Sequence, residues 1–327
     1  MKEITPVFAR TLSRLGQRGA FFGVALPEIA EQNPDVWVIT ADLATLSGLD
    51  RFRTLFPDRF LNVGIAEQNM IGIASGLAMD GAIVYATTYA SFIAMRSFEQ
   101  IRHNLGYQKV NVRAVGGSAG LVMGMSGNTH YTFEDIALMR VIPNMTVLSP
   151  ADPVEAYKMA FATASFEGPV YIRLTGGLNS PNVTSIEEKL QIGRAVTLRE
   201  GEDVGVLATG TMVSTALQAA EILATEGVSA EVMNIHTIKP FDSSAFFALC
   251  DKVKLLVTLE EHGILGGLGG LVAEEISARR NVPALLRIGL PDTFFKPASY
   301  DSLLHSCGLT PEQTAKRILS VCKSSGK

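Results

Sequence analysis

Short runs of β-branched and aromatic residues alternate along this chain with longer segments in which apolar residues recur at helical spacing. A first set of runs covers 36–40, 82–86, 110–115, 145–148 and 170–174, with helical patterns over 92–105 and 153–166 between them. A second set covers 204–208, 230–235, 254–259 and 285–288. This alternation predicts an α/β fold with two domains, each a mostly parallel sheet with helices on both faces. Between the sets the chain turns polar and turn-forming from 176 to 188, with Gly176-Gly177 and Asn179-Ser180-Pro181-Asn182. The expected division is therefore 1–178, a linker over 179–190, and 191–327.

With 327 residues, 47% of them hydrophobic, each domain can fill a core of its own. A net charge of -4 without any Lys/Arg cluster argues against nucleic acid as the main partner. The three cysteines (Cys250, Cys307, Cys322) and five scattered histidines match no metal-binding spacing, which fits reduced thiols. No apolar run approaches the 18 or so residues of a membrane span, and Met1 to Pro6 has no apolar signal core. The expected compartment is the cytoplasm.

Glu67 carries the strongest chemical signal. It opens a segment, Glu67-Gln68-Asn69-Met70-Ile71-Gly72-Ile73-Ala74-Ser75-Gly76-Leu77-Ala78-Met79, that holds no other charge, so the helix it starts should be largely buried. An acid there can simply favour the helix N-terminus. It can also hold or donate a proton in a dry pocket.

Tyr89, Phe92 and Met95 are spaced three apart after a strand, a spacing that puts them on one helical face as core or as a platform for a flat heteroaromatic ring. Five glycines between Gly116 and Gly127 precede His130, as in a loop that passes close to another group and delivers an imidazole beside it. Gly116-Gly117-Ser118-Ala119-Gly120 satisfies G-x-S-x-G. It continues as a glycine-rich loop rather than a helix, which argues against Ser118 as a hydrolase nucleophile. The glycines from Gly263 to Gly270 lack dinucleotide-binding spacing and read as a packed turn, and Glu260-Glu261-His262 before them is a charged edge or a subunit contact.

Taken in order, Glu67, the Tyr89/Phe92 platform, the loop ending at His130, and Ile142-Pro143-Asn144-Met145-Thr146-Val147-Leu148-Ser149-Pro150-Ala151-Asp152 resemble thiamine-diphosphate enzymes of the transketolase group. Over essentially its whole length the chain is similar to the C-terminal subunit of a split transketolase, a pyrimidine-binding domain followed by a C-terminal domain. The resemblance implies that Glu67 hydrogen-bonds the aminopyrimidine ring and promotes formation of the cofactor ylid, which then transfers a two-carbon ketol unit from a ketose phosphate to an aldose. It implies that Asp42, Tyr89, Phe92 and Met95 line the cofactor. It further places Ser118, Ser126, His130 and Arg173 at the substrate, His130 near the donor carbonyl and Arg173 on a phosphate.

The family holds Mg²⁺ and the diphosphate on a Gly-Asp-Gly motif, which this chain lacks. The resemblance therefore implies a partner subunit carrying that domain, in a two-plus-two assembly that includes contacts between copies of this chain. Two positions depart from the family. Ser126-Gly127-Asn128-Thr129-His130 replaces a stretch with an acid before the histidine, and Gly19 stands where a phosphate-binding arginine is expected, one residue after Arg18. These departures suggest an unusual donor, such as a branched or sulfonated ketose. Competing readings are the β subunit of a 2-oxo acid dehydrogenase and a non-catalytic assembly subunit.

Overall fold

A computed structural model describes residues 1–325. Its strands are β1 (Val36–Thr40), β2 (Phe60–Asn62), β3 (Ile83–Tyr89), β4 (Val112–Gly117), β5 (Thr146–Leu148), β6 (Val170–Arg173), β7 (Val196–Arg199), β8 (Val204–Ala208), β9 (Ala230–Asn234), β10 (Thr237–Lys239), β11 (Leu255–Gly263) and β12 (Ala284–Leu290). They form two sheets, in the order β10-β5-β6-β4-β3-β1-β2 and β12-β11-β8-β9-β7. Pairing is parallel except at the edges, where β10 runs against β5 and β7 against β9. The predicted α/β class with two mostly parallel sheets is what forms.

Strands β4 and β8 are buried at every position, and β8 accordingly reads as a continuous apolar run rather than an alternating one. Helices Pro6–Arg18 and Pro153–Ala164 pack on each other over one face of the first sheet, while Glu67–Met79 packs against β3. One core cluster joins Val84, Ala114 and Ile142 from the first sheet's side to Leu207, Met233, Phe246 and Leu256 from the second. β10 belongs to 191–327 in sequence yet extends the first sheet. The two halves are therefore joined by a common core and a shared strand.

The segment between β6 and β7 contains no strand or helix but is not a free tether. Asp152 accepts Val183 N and Thr184 N, each at 2.7 Å, while its other oxygen caps the helix Pro153–Ala164 through Glu155 N at 2.7 Å. Lys158 donates to the carbonyls of Ser185 and Glu188, both at 2.6 Å.

The end of β11 forms the seam with the first domain. Glu260 accepts the first amides of helix Leu268–Ser277, Leu268 N at 2.6 Å and Gly269 N at 2.7 Å, and burial pushes its carboxyl up to about 7 against their pull. His262 is fully buried, with Nδ1 2.8 Å from the Gly263 carbonyl and Nε2 accepting Ala137 N at 3.3 Å. A neutral ring with its proton on Nδ1 satisfies both contacts, and burial lowers its pKa to about 4.

A histidine held neutral in this way takes up its proton more readily once unfolded. Its contribution to stability is therefore present above about pH 6.5 and is lost as pH falls toward 4. His262→Gln keeps an acceptor for Ala137 and cannot titrate. Urea unfolding at a series of pH values should show the variant losing less stability than the wild type across this window, by up to about 3 kcal/mol. Parallel curves for the two proteins would contradict the buried neutral imidazole.

Candidate active site

The carboxyl ends of the parallel strands converge on one edge of the first sheet, where loops of a doubly wound sheet collect ligands. Asp42 follows β1, Glu67 follows β2, Tyr89 ends β3, Ser118 follows β4 and Arg173 ends β6. Asn62, the last residue of β2, organises the approach to Glu67. Its side-chain oxygen accepts Asp42 N at 3.0 Å and Gly64 N at 3.1 Å, and its amide donates to the Asp42 carboxylate at 3.3 Å. Asp42 and Gly64 both have left-handed backbones, with φ of 57° and 73°, so the two strand ends turn sharply toward each other.

Glu67 opens its helix as expected, and its side chain is 7% exposed. Its Oε1 accepts Arg96 at 2.8 Å. Immediately after β3 the chain winds through a π-helical turn, Phe92–Arg96, a form that recurs at functional sites. This turn carries the Arg96 guanidinium over the Phe92 ring, 3.7 Å from its centroid, and Gln68 fixes the turn by donating to the Arg96 carbonyl at 3.1 Å. The Phe92 ring lies 5.7 Å from Tyr89 and 5.4 Å from His130, which is itself 5.8 Å from Tyr89. His130 Nδ1 pairs with Thr129 Oγ1 at 2.9 Å. Glu67, Arg96, Phe92, Tyr89 and His130 thus form one unbroken series of contacts. An open recess of about 410 Å³ borders it, lined by Ile65, Glu67, Asn69 and Arg96 among others.

One expectation needs correction, and the fold places three further candidate residues. Tyr89 is the last strand residue, and Phe92 and Met95 sit in a π turn, so the three do not share one α-helical face; Met95 is 40% exposed and is absent from the ring cluster. Ser118 is buried and has a left-handed backbone (φ 56°), which makes it a turn former at the end of β4. Ser126 lies exposed in the turn Gly124–Ser126. Arg173 is buried, with its Nε and Nη2 engaged by oxygens of the protein.

The partners of Arg173 explain its position. Nε donates to both oxygens of Asp135, at 3.1 and 2.9 Å, and Nη2 donates to the carbonyls of Thr132 at 3.3 Å and Glu261 at 2.8 Å. Tyr171 adds its hydroxyl to Asp135 at 2.7 Å. Burial opposes the guanidinium's charge, but the Asp135 and Glu261 carboxylates hold its pKa above the ordinary arginine value.

A cation nearer the ring cluster is Arg18. Burial lowers its pKa, the Tyr89 hydroxyl raises it, and its guanidinium donates to the Leu46 carbonyl at 3.0 Å. A Cβ on Gly117 would lie 3.4 Å from Arg18 Cδ, so the glycine leaves room for this side chain. Asn62 and Arg96 went unrecognised in the sequence. A cation four residues beyond a platform phenylalanine was the available signal for Arg96. Among the described residues no group of three or more His, Cys, Asp or Glu side chains could hold a metal ion, and no helix is long and apolar enough to cross a membrane.

Comparison with known proteins gives two domain matches. Residues 18–180 match the family described as "Transketolase, pyrimidine binding domain", and 193–314 match "Transketolase, C-terminal domain". A protein of Methanocaldococcus jannaschii named as a transketolase C-terminal section is 41% identical over 92% of this chain and 95% of its own length. The 6-deoxy-6-sulfo-D-fructose transketolase subunit SqwH of Clostridium sp. (strain MSTE9) is 39% identical over 89% and 90%. The 1-deoxy-D-xylulose-5-phosphate synthase of Microcystis aeruginosa is 37% identical over 91% of this chain, which spans only 47% of that enzyme. Among solved structures, an inactive β4 tetramer of a split-gene transketolase superposes with a TM-score of 0.83 at 38% identity, covering 93% of this chain and 97% of the other.

The buried pair can be tested apart from any activity. Asp135→Asn strands the Arg173 charge in the interior and should cost about 3 to 5 kcal/mol of stability in denaturant unfolding. Replacing both residues together, as Asp135→Leu with Arg173→Met, should cost clearly less. A single substitution with no effect would show that Arg173 has another partner.

Proposed function

The chain belongs to the transketolase family, carrying its pyrimidine-binding and C-terminal domains, and from this premise we propose that it is the pyrimidine-side subunit of a split, two-gene ketol transferase. The observation that carries this reading is the Arg96 guanidinium, a flat cation lying over Phe92 while donating to Glu67. The same pair offers an aromatic face and a sheltered carboxylate to a planar, hydrogen-bond-donating ring, the two demands of an aminopyrimidine. Thiamine diphosphate, when bound, supplies a nucleophilic carbon that accepts the two-carbon unit.

In this reading Phe92 and Tyr89 seat the pyrimidine, Glu67 holds a proton at its ring nitrogen, and Asp42 is steadied nearby by Asn62. His130, standing against both aromatic rings, orients the donor carbonyl and moves a proton there. The Mg²⁺ and diphosphate ligands are assigned to a partner subunit, because this chain has no Gly-Asp-Gly motif. Ile65, 77% exposed beside Glu67, marks where that partner would close the recess. The inactive β4 form of the split-gene relative agrees with a subunit that needs its partner, and with self-association in a two-plus-two assembly. We place the assembly in the cytoplasm, in keeping with three unpaired cysteines.

The donor is proposed to be a ketose with a strongly acidic group, phosphorylated or sulfonated. The sulfofructose-transketolase relative favours the sulfonated form. Arg18 is a further candidate cation for that acidic end. A second reading is the β subunit of a 2-oxo acid dehydrogenase, in which a 2-oxo acid is the donor.

The test uses the chain reconstituted with its partner, thiamine diphosphate and Mg²⁺, and compares ketol transfer to ribose 5-phosphate from xylulose 5-phosphate and from 6-deoxy-6-sulfofructose with release of CO₂ from pyruvate. Transfer from either ketose supports the proposal, and turnover of pyruvate alone would replace it with the second reading. Glu67→Gln in the assembled complex should cut the rate about 100-fold or more. Full activity in that variant would point to a purely structural subunit.

A further inference from the structure

The loop that delivers His130 is anchored on the C-terminal domain. Its base is closed by a two-way backbone bridge in which Gly120 N donates to Thr132 O at 2.8 Å and Thr132 N to Gly120 O at 3.0 Å. Beyond that bridge the loop's apolar residues turn away from the first sheet. Leu121 and Tyr131 are buried in the core cluster of the second domain, with Leu290 and Leu303, and Met123, Phe133, Phe295 and Tyr300 pack around it. His130 stays on the other side, against Tyr89 and Phe92 of the first domain.

Three polar attachments hold this strap in place. At its start, Leu121 N donates to the buried Glu261 carboxylate at 2.6 Å, and that carboxylate is itself fixed by Tyr300 at 2.7 Å and Thr211 at 3.1 Å. Gly120, with φ of 76°, allows this approach; a Cβ there would collide with Glu261. In the middle, the Tyr131 hydroxyl donates to the Gly124 carbonyl, and a Cβ on Gly124 would stand 3.2 Å from Ala298 O. Near its end, the Asn128 side chain pairs twice with the backbone of Phe295, donating to its carbonyl at 2.7 Å and accepting its amide at 3.0 Å.

We infer that the C-terminal domain positions His130, with Asn128 and Glu261 as the positioning residues and the 295–300 segment as the surface that sets the height of the loop over the ring cluster. The catalytic part of this inference rests on the role proposed for His130; the mechanical part does not. A side-chain amide that imitates a strand partner fixes the loop two residues before the imidazole, and Thr129 Oγ1 then fixes the ring.

The experiment uses the full-length chain with Asn128→Ala, which removes both bonds, and Asn128→Asp, which keeps the acceptor for Phe295 N. Asn128 is exposed, so both variants should fold. Tyr300→Phe, which removes one of the two side-chain donors that fix Glu261, is the independent second variant. Hydrogen exchange of 121–130 and the rate of His130 carbethoxylation should each rise about tenfold in Asn128→Ala and less in Asn128→Asp, while exchange in β3 and β4 stays unchanged. In the reconstituted assembly, kcat should fall about tenfold with KM nearly constant, and the aspartate variant should recover part of it.

Unchanged exchange and unchanged His130 reactivity in both Asn128→Ala and Tyr300→Phe would overturn the inference, as would a loosened loop with wild-type kcat. An assembly without ketol transfer would overturn the reading of the site; the exchange and carbethoxylation rates would still decide whether this domain holds the loop.

Discussion

The rest of the structure hangs on the buried ion pair between Arg173 and Asp135. Arg173 ends a central strand of the first sheet, Asp135 starts the short helix Asp135–Arg140, and Nη2 of Arg173 reaches the carbonyls of Thr132 and Glu261. One guanidinium thereby ties together a sheet, the return of the His130 loop and the second domain. A charge with side-chain exposure of only 1% needs a paired counter-charge and fixed acceptors, which leaves the groups around it little freedom. Tyr171 and the neutral His262 complete this seam, and Glu260 fixes the following helix to it.

That rigidity is what lets the exposed side of the sheet carry a site. The strand ends place Asp42, Glu67, Tyr89 and Phe92 along one edge, and the strap held by the second domain brings His130 against them. The two halves of the chain have distinct tasks in this account. The first builds the pyrimidine seat, and the second sets the loop that faces the substrate. A C-terminal domain with no ring-cluster residue of its own still has a place in the chemistry.

Much of this was legible in the sequence, and the exceptions have physical causes. Runs such as 204–208 announce buried parallel strands because both faces are covered and every position is apolar. Strands β2 and β10, at three residues each, are too short to show a period, so the strand that crosses from the second half into the first sheet left no sign. Glu67 could be read because a lone acid opening an apolar helix is conspicuous. Arg96 could not, because a π turn shifts the phase by which neighbours are inferred along a helix. The pairing of Arg173 with Asp135 could not be read because the two lie 38 residues apart in sequence and only the fold brings them together.

The central claim is that this chain holds half of a cofactor site. The most direct measurement is an equilibrium titration of thiamine diphosphate with Mg²⁺, first into the chain alone and then into its mixture with the subunit that carries the Gly-Asp-Gly motif. The account predicts tight, saturable binding in the mixture, one cofactor per copy of this chain, and far weaker binding to the chain alone. Equally tight binding in both titrations would contradict it.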